Sequence, residues 1–300
     1  MVLWVWITIL AAISQSLRTA QQKRLKNRLG DLGASFVRFS YAIPFAWTWL
    51  LFYSTWFESP LPDINSKFLF WVFIGGLLQI IFTILLIKLF SLRSFAAVTA
   101  FSKTEVLQAV FFEALIIGVI ASLQVGLGIS LGVLAIILLS IAKGQITLSN
   151  LLSSLFTKQA GLGLSAGAFL ALCSVCFRAA TDSLIAEDLI IKAGLTLGIS
   201  VLIQTAVMGI WMIKVAPSEL ASSFIEWRGS SFVGLFGAVT SFCWFYAFSL
   251  NAVAPVRAVG QIELVLALLI SIVFFKEKPT LKEMFAISLL LMSIVIVLFD

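Results

Sequence analysis

Long apolar runs, each about the length of a membrane-spanning helix, alternate with short polar breaks along almost the whole chain. A transmembrane helix needs about twenty mainly apolar residues to cross the hydrocarbon core of a bilayer. The breaks carry charge, proline or clusters of Ser and Asn. The pattern predicts an all-α integral membrane protein with ten transmembrane helices. The ten runs lie near 2–20, 33–54, 68–88, 95–118, 122–142, 159–181, 190–213, 230–250, 255–275 and 281–299.

Composition supports solvation by lipid. Of the 300 residues, 61% are hydrophobic and only 11% are charged, whereas a soluble domain has roughly a quarter of its residues charged. The net charge of +6 does not indicate nucleic acid, because the cations sit at the ends of apolar runs, as expected for membrane topology. The three cysteines lie in apolar runs and the chain has no histidine. We therefore expect buried thiols, no metal site and no cofactor.

The sequence contains an internal similarity at a nearly constant spacing. A shift of 158 residues places VTAFSKTEVLQA (98–109) on VRAVGQIELVLA (256–267), which aligns Glu105 with Glu263 and Lys103 with Gln261. A shift of 160 residues aligns Arg18 with Arg178. Together the matches favour a duplication.

The duplication predicts a first five-helix repeat at 1–142, a linker at 143–158 and a second repeat at 159–300. Because five spans are an odd number, the second repeat must enter the membrane from the opposite side. Inverted repeats of this kind are typical of alternating-access transporters, with the substrate site near the midplane.

The distribution of cations predicts the orientation. Fifteen Lys and Arg residues fall on one predicted side and four on the other, with Lys103 deep in a span. The cation-rich side should be cytoplasmic. Both termini would then be extracytoplasmic.

Several stretches resemble the drug/metabolite transporter superfamily, specifically its ten-helix EamA-type members. They are FVRFSYAIP (36–44), with Arg38, APVRAVGQIELVLALLIS (254–271) and FFKEKPTLKE (274–283), with Glu277 before the last helix. The resemblance implies an exporter or exchanger of amino acids, nucleotide sugars, phosphosugars or other small polar metabolites. It also implies a central cavity lined mainly by helices 1, 3, 4, 6, 8 and 9, and cytoplasmic termini, which the charge distribution contradicts.

Glu105 and Glu263 are the strongest candidates for a site, since both lie eight to ten residues into predicted spans. A charge at this depth is costly unless it faces a polar cavity or a partner. The two carboxylates could bind a substrate ammonium or take up protons. The structural alternative is an ion pair with Lys103 or Arg257. Glu113, on the same predicted helix, could extend a polar path or meet Lys143.

The remaining candidates suggest a chemically uneven cavity. Lys103 could bind a substrate carboxylate or pair with an acidic group, and its neutral counterpart Gln261 makes the two repeats unequal, which suits a zwitterion. Arg18 and Arg178 could contact anions at opposite mouths of the cavity or snorkel to the interface. Trp244 and Tyr246 could stack on a ligand or cage an ammonium. The predicted substrate-binding or coupling residues are Glu105, Glu263, Lys103, Gln261, Arg257, Trp244, Tyr246, Gln79, Gln15, Arg18 and Arg178.

These features predict a secondary transporter, an exporter or exchanger, of a small polar metabolite such as an amino acid or related zwitterion. The alternative is a flippase for a lipid-linked metabolite. We expect no enzymatic activity, because the sequence shows no catalytic constellation, and no ATP-driven transport, because it has no GxxxxGK[ST] loop. The expected partners are the substrate and the lipid bilayer, without nucleic acid. We expect a monomer or homodimer in the inner cell membrane.

Overall fold

The computed structural model describes residues 3–89, 102–142, 158–266, 269 and 279–299. Within these ranges all regular secondary structure is helical, which confirms the predicted all-α class. Seven helical stretches of the described part are long and apolar enough to cross a membrane; the total of ten spans stays a prediction. The principal helices are α1 (Leu3–Ser40), α2 (Ala42–Trp56), α3 (Ser66–Leu89), α4 (Glu105–Ile116), α5 (Leu123–Ala142), α6 (Lys158–Ser183), α7 (Leu189–Val215), α8 (Pro217–Ile225), α9 (Trp227–Leu250), α10 (Val253–Gly260) and α11 (Leu281–Leu298).

The first two predicted spans are joined by helix rather than by an open loop. The polar break at 23–31 continues α1 as far as Gly30, where φ is 72° and ψ is −176°. Lys, Arg and Leu are good helix formers, so this cationic stretch keeps its backbone bonds as a helix outside the apolar run. Gly30 then interrupts the helix, because that backbone conformation is essentially restricted to glycine.

The chain divides into two compact units. Unit 1 comprises residues 1–90 and 173–251, and unit 2 comprises residues 91–172 and 252–300. The division falls inside α6. Unit 1 thus contains the first three predicted spans of the first repeat, together with the end of the first span and the whole second and third spans of the second repeat. Unit 2 contains the last two predicted spans of each repeat and the beginning of the span at 159–181. The units therefore cut across the predicted repeats, whose boundaries stay a prediction.

In unit 1, α1 packs along α9, and α7 packs on α2, α3 and α9. The short helix α8 was not among the predicted spans. It begins with Pro217, which is favoured in the first turn of a helix. Its Glu219 carboxylate accepts hydrogen bonds from the amides of Leu32 (2.8 Å) and Gly33 (3.0 Å), where α1 restarts after Gly30.

In unit 2, α5 packs closely against α11, and α10 packs against α4, α5 and α11. Gly132 of α5 lies directly opposite Ser293 of α11, so a side chain there would meet the Ser293 hydroxyl. This close approach is the packing role expected of small residues in membrane helices. The first residues of the fourth predicted span (95–101), the linker residues 143–157 and Glu277 lie outside the described residues.

Candidate functional site

Two predicted spans are broken at positions that the internal alignment makes equivalent. Lys103 and Thr104 form a turn before α4 begins at Glu105, and Gln261 forms a turn between α10 and the helical residues 262–266. The sequence predicted a spanning helix near 95–118 and near 255–275 and gave no signal for these turns, which interrupt the described part of each span. Thr104 (φ −65°, ψ −3°) and Gln261 (φ −64°, ψ −7°) keep dihedrals close to those of a right-handed helix, so each break is a local distortion of the helix rather than an unwound segment. Discontinuous helices line the substrate and ion sites of many transporters.

Four charged side chains lie at these breaks and form two ion pairs. Lys103 Nζ contacts Glu263 Oε1, and Arg257 Nη1 lies 3.9 Å from Glu105 Oε1. Glu105 and Arg257 are almost fully buried, whereas the side chains of Lys103 and Glu263 keep 14% and 16% of their exposure. An ion pair with Lys103 or Arg257 was the structural alternative considered for the two glutamates, and these are the pairs that the structure contains. We call these four residues the charge quartet.

The charge quartet is electrically neutral and links the two predicted repeats. Each glutamate pairs with a cation from the opposite repeat. Removing an ion from water costs several kcal/mol, and a close counter-ion offsets much of that cost. Breaking one pair without replacing the lost partner would leave a buried charge, which is strongly unfavourable.

Glu113 holds the beginning of α10. Its two carboxylate oxygens accept hydrogen bonds from Val253 N (2.7 Å) and Ala254 N (3.2 Å), and the side chain is 2% exposed. The first amides of a helix have no intrahelical acceptor, so a carboxylate there accepts their hydrogen bonds. Its negative charge also interacts favourably with the positive end of the helix dipole. The sequence suggested that Glu113 extends a polar path or meets Lys143, and it did not indicate this contact with the backbone. Lys143 lies outside the described residues.

Gln261 adds an uncharged polar group at the second break. It is 4% exposed, and its Oε1 accepts no hydrogen bond from the described residues. It lines a crevice of about 10 Å³ together with apolar residues of α4, α5 and α11 and the hydroxyl-bearing Ser293. That volume is near the minimum needed for one water molecule. Gln261 therefore faces a small, partly polar space within unit 2.

The first break is covered by α6. Gln108 Nε2 donates to Thr104 Oγ1 (3.2 Å) and to the carbonyl of Leu164 (3.4 Å). A side chain at Gly167 would fall 2.8 Å from the carbonyl oxygen of Ser102. The glycine is thus required for α6 to approach the broken backbone.

A second set of predicted residues lies in unit 1. Gln204 Nε2 donates to Gln79 Oε1 at 2.6 Å, and Trp244 Nε1 donates to Gln15 Oε1 at 3.1 Å. Gln79, Gln204 and Trp244 are buried. Gln204 was not predicted, and a polar residue in the seventh apolar run was the available signal.

Arg18 and Arg38 of unit 1 are buried within the protein. Arg18 is 1% exposed, so snorkelling is the wrong interpretation for this residue. Arg38, also buried, donates from Nη1 to Thr83 Oγ1 at 2.7 Å. Both arginine stems pack around Gly237 of α9. Arg178, the predicted equivalent of Arg18, instead pairs with Asp182 one turn later, at 3.5 Å.

Trp244 and Tyr246 do not form a joint aromatic cage. They are two residues apart on α9, which separates their directions by about 200°. Trp244 stacks near Phe248 with ring centroids 5.8 Å apart, whereas Tyr246 stacks near Phe242 at 5.9 Å. The two rings therefore have different neighbours, and a ligand contact by either of them stays a prediction.

Comparison with known proteins bears on the fold and on part of the chain. The whole fold resembles a solved crystal structure of a protein that shares 15% sequence identity, with a TM-score of 0.71 over 98% of this chain and 94% of the other. This likeness supports the all-helical fold alone. No curated protein matches the chain significantly.

Residues 158–299 match the model of the EamA-like transporter family. The match covers slightly less than half of the chain and agrees with the resemblance seen in the sequence over the second predicted repeat. The matched region contains Arg257, Gln261 and Glu263 of the second break. Among the described residues, no group of three His, Cys, Asp or Glu side chains could hold a metal ion.

Proposed function

We propose that this protein is a secondary transporter of a small zwitterion, such as an amino acid, and works as an exporter or exchanger by alternating access. The observation that carries the proposal is the neutral charge quartet at two broken helices. Two cations and two carboxylates offer recognition groups for both ends of a zwitterion. The EamA-like family match supports transport, and the chemistry of the quartet supports this substrate class.

Charge balance explains why a zwitterion suits this site. The substrate ammonium can replace a cation beside Glu105 or Glu263, while its carboxylate binds the displaced Lys103 or Arg257. Every buried charge then keeps a counter-ion during the exchange. A purely cationic or anionic substrate would leave one protein charge uncompensated, at a cost of several kcal/mol.

Exposure suggests an order for these contacts. Lys103 and Glu263 are more accessible than Glu105 and Arg257. We propose that the Lys103–Glu263 pair opens first to substrate. Glu105 and Arg257 then complete the binding of the zwitterion.

Counterflow into proteoliposomes tests the function. The full chain is reconstituted with unlabelled amino acids inside, and entry of radiolabelled alanine, leucine, lysine and glutamate is measured. We expect counterflow of the zwitterions alanine or leucine, and a decrease of at least about tenfold in Glu105→Gln, the factor expected from loss of one charge-assisted interaction.

Glu187→Gln is the matched control, because Glu187 is exposed and lies outside the quartet. It should retain counterflow. No movement of either zwitterion, or equal rates in Glu105→Gln and wild type, would contradict the proposal. Movement of a fluorescent phospholipid between leaflets instead would favour the flippase.

We also propose a multi-pass location in the inner membrane with extracytoplasmic termini. The buried Arg18, Arg38 and Arg257 are not loop charges and carry no weight in the topology argument. The cations that remain still lie mainly on the predicted cytoplasmic side. Their asymmetry supports the proposed orientation.

A further inference from the structure

We infer that Glu113 is a positioning residue that fixes α10 so that Arg257 faces Glu105. The inference about substrate binding rests on the proposed function. The inference about the position of α10 rests on contacts within unit 2. Glu113 lies two turns from Glu105 along α4 and accepts hydrogen bonds from backbone amides at the beginning of α10.

One helix holds α10 at two points. Glu113 and Glu105 are eight residues apart on α4, a rise of about 12 Å. Glu113 binds the first two amides of α10, and Glu105 meets Arg257 one turn further along α10. The first contact therefore sets the position from which the Arg257 side chain starts.

Two oxygen acceptors are needed at the first contact. Val253 N and Ala254 N are adjacent donors, and each uses a different oxygen of Glu113. Glutamine has one oxygen acceptor and an NH₂ group that cannot accept from an amide. In Glu113→Gln one buried N–H would consequently lose its acceptor. Aspartate keeps both oxygens on a side chain one methylene shorter.

The position also separates Glu113 from a substrate contact. The side chain is 2% exposed, and both of its oxygens are engaged by α10. In this inference its effect on transport passes through the helix that it holds. Arg257 is the member of the charge quartet that lies on that helix.

Hydrogen–deuterium exchange tests the positioning without requiring a substrate. Exchange of peptides covering 252–260 is measured by mass spectrometry on the reconstituted full chain. We expect Glu113→Gln to accelerate exchange at Val253 and Ala254 by about tenfold, the factor that follows from losing one hydrogen bond to a charged group. Glu113→Asp should give an intermediate rate, and Glu187→Gln should match wild type. Wild-type exchange in both Glu113 variants would overturn the inference.

Transport kinetics distinguish positioning from simple loss of folded protein. Counterflow of labelled alanine should show a raised KM in Glu113→Gln, partly restored in Glu113→Asp, because Arg257 is displaced. A lower maximal rate with unchanged KM in both variants would overturn the inference that Glu113 affects substrate binding through Arg257. If Glu113→Gln does not fold, the exchange and KM of Glu113→Asp decide between these outcomes. Accelerated exchange together with no zwitterion counterflow in wild type would refute the proposed function and leave the positioning intact.

Discussion

Replacing Gly30 by alanine should destabilise unit 1 through two separate effects. The backbone at Gly30 has φ 72° and ψ −176°, a conformation that costs other residues about 1–3 kcal/mol. In addition, a Cβ atom at this position would overlap the carboxyl group of Glu219. That carboxyl group would have to swing away from the start of the second part of α1.

The displacement of Glu219 has its own cost. Its Oε2 accepts from Leu32 N at 2.8 Å and Gly33 N at 3.0 Å. A hydrogen bond to a charged group contributes about 1.5–3 kcal/mol. Loss of one bond, added to the backbone term, gives about 2.5–6 kcal/mol, and loss of both gives about 4–9 kcal/mol. Either is a large fraction of the roughly 5–15 kcal/mol that typically stabilises a folded domain.

Thermal unfolding of the purified full chain, followed by tryptophan fluorescence, measures the effect. Gly126→Ala is the matched control, because no atom lies within 4 Å of a Cβ placed there. It should leave the melting temperature unchanged or raise it slightly. In a Glu219→Ala background, Gly30→Ala should lower the stability only by the cost of the backbone conformation, about 1–3 kcal/mol. An equal penalty in both backgrounds would refute the role of the carboxylate, and a Gly30→Ala variant as stable as Gly126→Ala would refute the whole argument.

Two further predictions concern a helix cap and the topology. Asp188 accepts from Ile190 N (2.8 Å) at the start of α7 and from the hydroxyls of Tyr53 and Ser59, both at 3.0 Å. Asp188→Ala should therefore lower stability by at least the 0.5–2 kcal/mol typical of a lost N-cap, and an unchanged melting temperature would contradict this. An alkaline phosphatase domain fused after the C-terminus should be active, because the cation asymmetry predicts an extracytoplasmic end; a fluorescent GFP fusion with an inactive phosphatase fusion would show the opposite orientation.

Hydropathy predicted the helical class and most helix positions, because length and apolar content are local properties of the chain. It could not predict where a helix is interrupted inside an apolar run. The first turn is formed by Lys103 and Thr104 rather than by Gly or Pro, so the local sequence does not indicate that the helix is interrupted there. At Gln261 the preceding Gly260 was a weak signal. The turns depend on contacts such as those of Gln108 with Thr104 and Leu164, which join distant residues.

The charged candidates could be identified from the local sequence, but their pairing could not. The sequence named both partners available to the glutamates, but it did not assign Lys103 to Glu263 or Arg257 to Glu105. Pair assignment requires the relative positions of two segments about 160 residues apart in the chain. For Arg18, position near the end of an apolar run suggested the interface. Its burial depends on packing against α9, which hydropathy does not describe.

Pairing also changes the reasoning about why acidic residues are tolerated in these spans. From sequence alone, two glutamates at depth required either a polar cavity or a charged partner such as Lys103 or Arg257. In unit 2, each glutamate has a cation from the opposite predicted repeat. The neutral quartet therefore explains their placement before any substrate is considered. In the function we propose, a zwitterion opens both pairs while preserving that neutrality, so the electrostatic balance of the resting site would also favour this substrate class.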